Sequence, residues 1–281
     1  MIIDYSTLRP PMATLKAAGV TAAGRYIGWD CEPGHACMHK NLTKPEAHSL
    51  LAAGIDIFLA FEYAPNAALA GAAQGRADAA LATRQLHDLG APPDMTVYFA
   101  MDFDIRDYAP ASSDPKAKLG PAAAYFEAIA AAKPAFKVGV YGGYWAVSRV
   151  LDARLAEMAW QTVAWSGGHV DPRAVLLQTA TQVLGAADVN LAESKAPDFG
   201  QMPRPEVTGH PFPPGRHVMD GSGTLDGLAR RQGCRVSDIV YATAVAASRQ
   251  VAPGFGHLEA ACIDAGKWDT RAPKGMVVWL P

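Results

Sequence analysis

The feature that most constrains this chain is an alternation. Over about the first 200 residues, short apolar runs rich in strand formers trade places with longer helical stretches. Repeated strand–helix units cover both faces of their strands, which points to a parallel sheet, closed or open. Candidate strands are residues 2–5, 23–27, 55–61, 96–102, 137–141, 158–164, 175–179 and 187–191, with the clearest helices at 44–53, 67–89 and 121–132. Thr43 ahead of Lys44, Pro45 and Glu46 supplies a capping hydroxyl followed by Pro and an acid in the first turn. Gly54 and Gly90 stand where helices must end, where a residue without Cβ adopts the left-handed conformation. Eight strands are what a closed (β/α)₈ barrel requires, so the fold class predicted is α/β, a TIM-like barrel. A doubly wound open sheet is the competing architecture. It lacks support from a Gly-x-Gly-x-x-Gly turn after the first strand.

The 281 residues are half apolar with a formal net charge of −2, which argues against both disorder and a nucleic-acid-binding surface. No apolar run approaches the roughly 20 residues of a membrane span. Met1 to Ser6 carry no basic segment leading into a long apolar one, so no secretory signal is predicted. A protein of this kind is made in the cytoplasm and reaches an outside target by release or dedicated export. The cysteines fall in two sequence-local pairs, Cys31 with Cys37 and Cys234 with Cys262, compatible with disulfides or free thiols. Cys31, His35, Cys37 and His39 could also be read as zinc ligands, but their spacing fits no common zinc module, and a surface loop is preferred. Between Gln201 and Gly215 prolines become too dense for helix or internal strand. The predicted organisation is a barrel over 1–200, a linker over 201–215 and a small module over 216–281.

Acidic residues cluster at the predicted strand ends. Asp4, Glu62, Asp102, Asp104 and Asp188 are all placed at the rim that carries the active site in such barrels. If the fourth strand persists, Asp102 and Asp104 point to one side, roughly 7 Å apart along the backbone, with Tyr98 below them. Acids crowded in a cleft acquire unequal proton affinities, because burial and like charges disfavour ionising all of them. Glycosidic cleavage needs that inequality: one carboxyl donates a proton while another stays charged beside an oxocarbenium-like centre. One of the five is expected to cap a helix or pair with Arg25 or Arg106 instead, though not Asp102 or Asp104. Carboxylates also suit Mg²⁺ or Ca²⁺, but no supporting ligand set accompanies them, so neither metal nor cofactor is predicted. Aromatic residues gather near the same ends, among them Tyr26, Trp29, Tyr63, Tyr141, Tyr144, Trp145 and Trp165. Tyr141 and Trp165, directly after strands, are the preferred sugar-facing rings.

These residues carry a resemblance. Asp4-Tyr5-Ser6, Gly24-Arg25-Tyr26, Asn41 to Ala47, Gly75 to Ala79, Val97 to Asp104, Val138 to Gly143, Trp160-Gln161-Thr162 with Ala164 to Gly168, and Asp188 to Leu191 follow one another in family order. In these the chain resembles the glycoside-hydrolase-like domains of the domain-of-unknown-function 1906 group, relatives of the family 25 lysozymes. Those lysozymes cut the β-1,4 bond between N-acetylmuramic acid and N-acetylglucosamine. Their fourth strand carries Asp-x-Glu with the Glu as proton donor, whereas here the motif is Asp102-Phe103-Asp104. The shorter donor withdraws its carboxyl by about 1 Å, a displacement to which catalysis is sensitive. The resemblance implies Asp104 as general acid, Asp102 as stabiliser of a substrate acetamido group, and Asp4 and Asp188 shaping the electrostatics. Glu62, Arg25, Tyr26, Tyr98, Tyr141, Trp165 and Gln178 complete the candidate site as substrate-binding residues.

The C-terminal stretch resembles a LysM domain, a βααβ module that binds chains containing N-acetylglucosamine. His217-Val218-Met219, Gly223 to Ala229, Arg235 to Val240 and Gly275 to Pro281 carry the likeness, interrupted by an insertion from about Ser248 to Pro273. The expected activity is hydrolysis of peptidoglycan, as a phage endolysin or an exported effector. The expected partner is an N-acetylated glycan. A non-catalytic glycan-binding barrel is the alternative, and a metal-dependent nuclease or phosphodiesterase ranks third.

Overall fold

The computed structural model describes residues 1–29, 40–91, 95–109, 111–180, 184, 189–202, 215–218, 222, 224–225, 227–228, 239 and 277–280. The chain divides into two compact units, Met1–Leu42 with Ile55–Arg204, and Thr43–Gly54 with Pro205–Pro281. In chain order the elements are β1 (Ile2–Tyr5), α1 (Met12–Ala17), β2 (Ala22–Ile27), α2 (Lys44–Ala52), β3 (Asp56–Phe61), α3 (Ala72–Leu89) and β4 (Thr96–Met101). There follow α4 (Pro121–Ala131), β5 (Lys137–Gly142), α5 (Tyr144–Asp152), β6 (Met158–Thr162), β7 (Leu176–Ala180), β8 (Val189–Ser194), β9 (Gly215–Val218) and β10 (Val277–Leu280).

Strands β1 to β8 close into a barrel in sequence order. The first seven run parallel, but β8 is antiparallel to both β7 and β1. The all-parallel barrel expected from the alternation is therefore corrected at its last strand. Only residues 181–188 separate β7 from β8, and a parallel crossover needs about a dozen residues or more. The reversal carries the start of β8 to the functional rim, where Val189 pairs with Tyr5 at the end of β1.

Two-residue alternation divides the strands between two apolar layers. Inside the barrel, Phe58, Tyr98, Trp160, Leu176 and Phe199 pack with Ala22, Ala60 and Ala100. Trp160 is the hub, meeting Phe58, Tyr98 and Tyr141 edge-on at ring distances of 5.0, 6.0 and 4.7 Å. Glycine makes room for these rings. A Cβ on Gly24 would lie 2.7 Å from Phe58 and 2.8 Å from the Asp4 Cβ, and one on Gly139 would lie 2.7 Å from Tyr98. Outside, Phe61, Phe99, Tyr125 and Phe136 form a second aromatic layer under the helices.

Helices α3 and α4 approach so closely that a Cβ on Gly75 would sit 2.2 Å from the Tyr125 carbonyl oxygen. Across that contact buried Asp78 accepts from Tyr125 Oη and Gln74 Nε2, both at 2.7 Å. The Gly75-to-Asp78 motif is thus a packing device. Gly90 ends α3 in the left-handed conformation, φ 69°. The helix expected over 67–89 is split by Gly71 at φ 72°, which leaves a short 3₁₀ turn, Ala67–Ala70, ahead of α3. The barrel also runs past residue 200. Phe199 belongs to its core, and the Met202 amide donates to the Ile57 carbonyl.

In the second unit, Thr43 Oγ1 accepts from the Glu46 amide at the start of α2, and β9 and β10 pair antiparallel. Leu225, Leu228 and Ile239 are buried there. All four cysteines, the Cys31–His39 segment and most of the 201–215 linker lie outside the described residues. Among the described residues no helix is long and apolar enough to cross a membrane.

Arg149 of α5, 7% exposed, holds the long β4–α4 connection. Its guanidinium donates to the carbonyls of Ile105 (2.6 Å), Arg106 (2.7 Å), Lys118 (2.9 Å) and Tyr108 (3.2 Å). Removing it strands buried carbonyls, so Arg149→Leu is expected to cost about 3 kcal/mol or more in a urea melt. A loss under about 0.5 kcal/mol would show that water replaces these bonds.

Candidate active site

The residues at the upper ends of β1 to β7 replace the apolar filling with polar groups. Asp4 is completely buried. Its Oδ2 accepts from Gln178 Nε2 at 2.9 Å, and its Oδ1 accepts from Tyr26 Oη at 3.4 Å. Gln178 Oε1 in turn accepts from Tyr141 Oη at 3.0 Å. A hydrogen-bonded chain Tyr141–Gln178–Asp4–Tyr26 thus crosses the top of the core. Burial, followed for Tyr26 by the Asp4 charge and for Tyr141 by that of Asp102, pushes both phenols well above their ordinary range. Both remain neutral donors at any physiological pH.

Glu62 and Asp102 follow β3 and β4 directly. Glu62 Oε2 meets Lys40 Nζ at 2.5 Å, with the two side chains only 12% and 16% exposed. Lys40 also lies over the Tyr26 ring, 4.5 Å from its centre. Asp102 is partly buried, and its carboxyl is pushed up to about 6. Burial is the main cause, the Glu62 charge adds to it, Lys40 opposes it, and Asp4 contributes last. The site therefore contains an inequality that acid–base chemistry can use: one carboxyl pushed up to about 6, beside a glutamate paired with lysine.

Several predicted site residues lie elsewhere. The fourth strand ends at Met101, so the alternation that would align Asp102 with Asp104 stops short of both. Asp104, 43% exposed on its side chain, accepts from the Arg106 amide at 2.8 Å and faces the Arg106 guanidinium at 3.8 Å. This is the arginine pairing that the sequence pattern assigns to another of the five acids. A carboxylate that closes its own turn gains an amide donor two residues on. Arg25 is engaged by backbone. It lies between the inward residues Gly24 and Tyr26, faces away from the barrel interior, and donates to the carbonyls of Tyr5, Ser6 (3.2 Å) and Lys40 (3.4 Å). It braces the loops around the mouth. Tyr98 belongs to the packed interior below the rim, donating to the Phe199 carbonyl at 2.7 Å.

Tyr141 is 9% exposed and sits in the wall as part of the polar chain. Trp165 is half-buried just beyond β6, with its backbone in the left-handed region at φ 54°. That conformation is held by Ser166, whose Oγ donates to the Thr162 carbonyl at 2.6 Å and accepts from the Tyr144 amide at 2.8 Å. Asp188 lies outside the described residues. Lys40 is the participant that sequence reasoning missed: it stands in no periodic segment, and only folding brings it to Glu62. Among the described residues, no group of three or more His, Cys, Asp or Glu side chains is arranged to hold a metal ion.

With this geometry in hand, the chain was compared with known proteins. A family model described as Rv2525c-like, glycoside hydrolase-like domain matches residues 13–192. Two crystal structures of the Mycobacterium tuberculosis Tat-secreted protein Rv2525c share its fold. The complex with HEPES superposes with a TM-score of 0.62 at 24% identity, covering 72% of this chain and 98% of the other. The L-tartrate complex gives 0.61 at 23% identity with the same coverage. A glycosyl hydrolase 25 of Streptococcus pneumoniae, GHIP, aligns at a TM-score of 0.41 and 13% identity over 70% of this chain and 86% of the other. No curated protein sequence matches the chain.

Asp102 should titrate with a midpoint near 6 when its carboxyl is followed by carbon-13 NMR. Glu62→Gln removes a charge that raises Asp102 and leaves Lys40, which lowers it, so the midpoint should move to lower pH. The folded chain holds a proton on Asp102 that the unfolded chain has already released. Stability from this group is therefore full below about 3.8 and lost as pH rises through about 6. Asp102→Asn should flatten that slope, and an unchanged slope would assign it to another group.

Proposed function

Because the chain belongs to the Rv2525c-like glycoside hydrolase-like domain family, we propose that it hydrolyses a cell-wall glycan, with Asp102 as the proton donor. The observation that carries this reading is the carboxyl raised to about 6 at the barrel mouth, beside the ion-paired Glu62. A protonated Asp102 can protonate the leaving glycosidic oxygen as its bond to C1 breaks, and the resulting carboxylate can take the proton of the water that then adds to C1. Glu62, charge-balanced by Lys40, and the buried Asp4 keep negative potential under the developing oxocarbenium ion. The resemblance to family 25 lysozymes names the substrate as an N-acetylated β-1,4 glycan such as peptidoglycan. Asp104, the donor in the sequence-based assignment, becomes an outer acid that shapes the rim through Arg106. Gln178, Tyr26 and Tyr141 hold Asp4 in place, and Trp165 offers a ring to a sugar at the β6 side. Asp188 remains a proposed contributor to the negative field of the cleft.

A second reading is favoured by one observation. The donor position of the lysozyme pattern is occupied by a half-exposed, arginine-paired aspartate, as it would be in a barrel that binds glycan without turning it over. The two readings separate on new reducing ends released from purified peptidoglycan. Wild type should release them, with the rate falling as pH rises through about 6, because the donor must be protonated. Asp102→Asn is expected to lose about 100-fold or more in rate, whereas Asp104→Asn should keep most of it. Wild-type protein that binds but releases no ends establishes the non-catalytic reading, and equal loss in both variants restores Asp104 to the mechanism.

The C-terminal unit is proposed as a LysM-like wall-binding module that raises the local concentration of the barrel on an insoluble polymer. The Mycobacterium tuberculosis relative is Tat-secreted, and export or release to the wall is the setting proposed here. A chain ending at Arg204 should sediment less with wall material while still cleaving short soluble fragments. Undiminished sedimentation would remove the LysM assignment.

A further inference from the structure

Beyond the acid centre, the mouth carries an aromatic pair that this chemistry does not use. Tyr63 follows Glu62 directly and is 49% exposed, one of the largest exposed apolar groups described. Trp29, two residues past β2, lies beside it with ring centres 5.6 Å apart and planes tilted by 47°. Tyr63 presents its ring to solvent, braced against the half-buried Trp29, and an exposed ring of this kind offers a stacking surface.

The pair is held more firmly than a chance surface contact. Asn41 grips the Trp29 backbone at both ends, its Nδ2 donating to the Trp29 carbonyl at 2.7 Å and its Oδ1 accepting from the Trp29 amide at 3.2 Å. Gln85 of α3 reaches the same segment, donating to the Trp29 carbonyl at 2.7 Å and accepting from the Gly28 amide at 2.8 Å. Two side-chain amides thus fix one short stretch of backbone. Gly28, at φ 119°, lets that stretch lie flat against Glu62: a Cβ there would come within 3.1 Å of the Glu62 backbone. The Glu62 amide donates to the Ile27 carbonyl at 3.0 Å, tying the two strand ends together. The platform and the Lys40–Glu62 pair are therefore one rigid unit.

We propose that Trp29 and Tyr63 form a separate subsite for one pyranose ring of the glycan, at the β2–β3 edge of the mouth. The occupant follows from continuity with the acid centre and from shape. A β-linked pyranose presents a flat C–H face to an aromatic ring, and the next unit of a chain lying over Glu62 and Asp102 arrives at this edge. The inference rests on the glycan reading above and adds the direction in which the chain leaves the cleft. Pre-fixed backbone means that little ordering is left to be done on binding.

Calorimetric titration of the full chain with a hexamer of N-acetylglucosamine tests it. Tyr63→Ala should raise Kd about five-fold, and Tyr63→Phe, which keeps the ring, should bind like wild type. The exposure of Tyr63 makes the Ala variant safe for folding, which an unchanged melting temperature would verify. Wild-type affinity in Tyr63→Ala would overturn the subsite and leave the glycan reading standing. Wild-type protein that binds neither the hexamer nor purified wall would overturn the glycan reading and the subsite together.

Discussion

A completely buried carboxylate organises the mouth of this barrel. Asp4 is shielded from solvent, and a polar group in that position is tolerated only where hydrogen-bond partners are built around it. Gln178 and Tyr26 supply them from β7 and β2, on either side of β1 in the closed barrel, and Tyr141 orients Gln178 from β5. The barrel must close for these strands to converge, and closure depends on β8 turning back against β1. The Asp102 carboxyl is raised mainly by its own burial and then by Glu62, against Lys40, with Asp4 contributing last.

The interior below the rim explains why the chemistry is confined to one end. Trp160, Phe58, Tyr98 and Phe199 fill the cylinder to the point where glycine is required at positions 24 and 139. A plugged cylinder has no channel, and its polar surface is confined to the final turn of each strand and the loops beyond. Those loops are held by groups whose work is mechanical. Arg149 gathers four carbonyls of the β4–α4 connection, Arg25 gathers those around β1 and β2, and Ser166 fixes the turn carrying Trp165. Buried cations satisfied by carbonyls are costly to place, and here they give rigid settings to loops that would otherwise wander.

Division of labour among the acids is then a matter of environment. Asp102 and Asp104 are two residues apart and chemically identical, yet one is partly buried among like charges and the other caps a turn beside an arginine. The former acquires a proton near neutrality. The latter is committed to an ion pair in solvent, where such a pair is worth little. Family membership supplies a glycoside hydrolase-like barrel, and local surroundings set its two neighbouring carboxyls apart.

How much of this was legible beforehand can be read residue by residue. Alternating apolar runs, the Thr43 cap and the stop at Gly90 are local signals, and strands, helices and the eight-fold barrel followed from them because near-neighbour sterics and two-residue periodicity operate within a few positions. The concentration of acids at strand ends was visible for the same reason. What sequence could not supply was anything that depends on which groups meet across the barrel. The Lys40–Glu62 pair, the Gln178–Asp4 bond spanning most of the domain, and the outward turn of Arg25 are decided by closure, which brings together residues with no local relation. The different surroundings of Asp102 and Asp104 belong to the same class. Proton affinity is set by burial and by charges within a few ångströms, and those distances exist only in the folded chain.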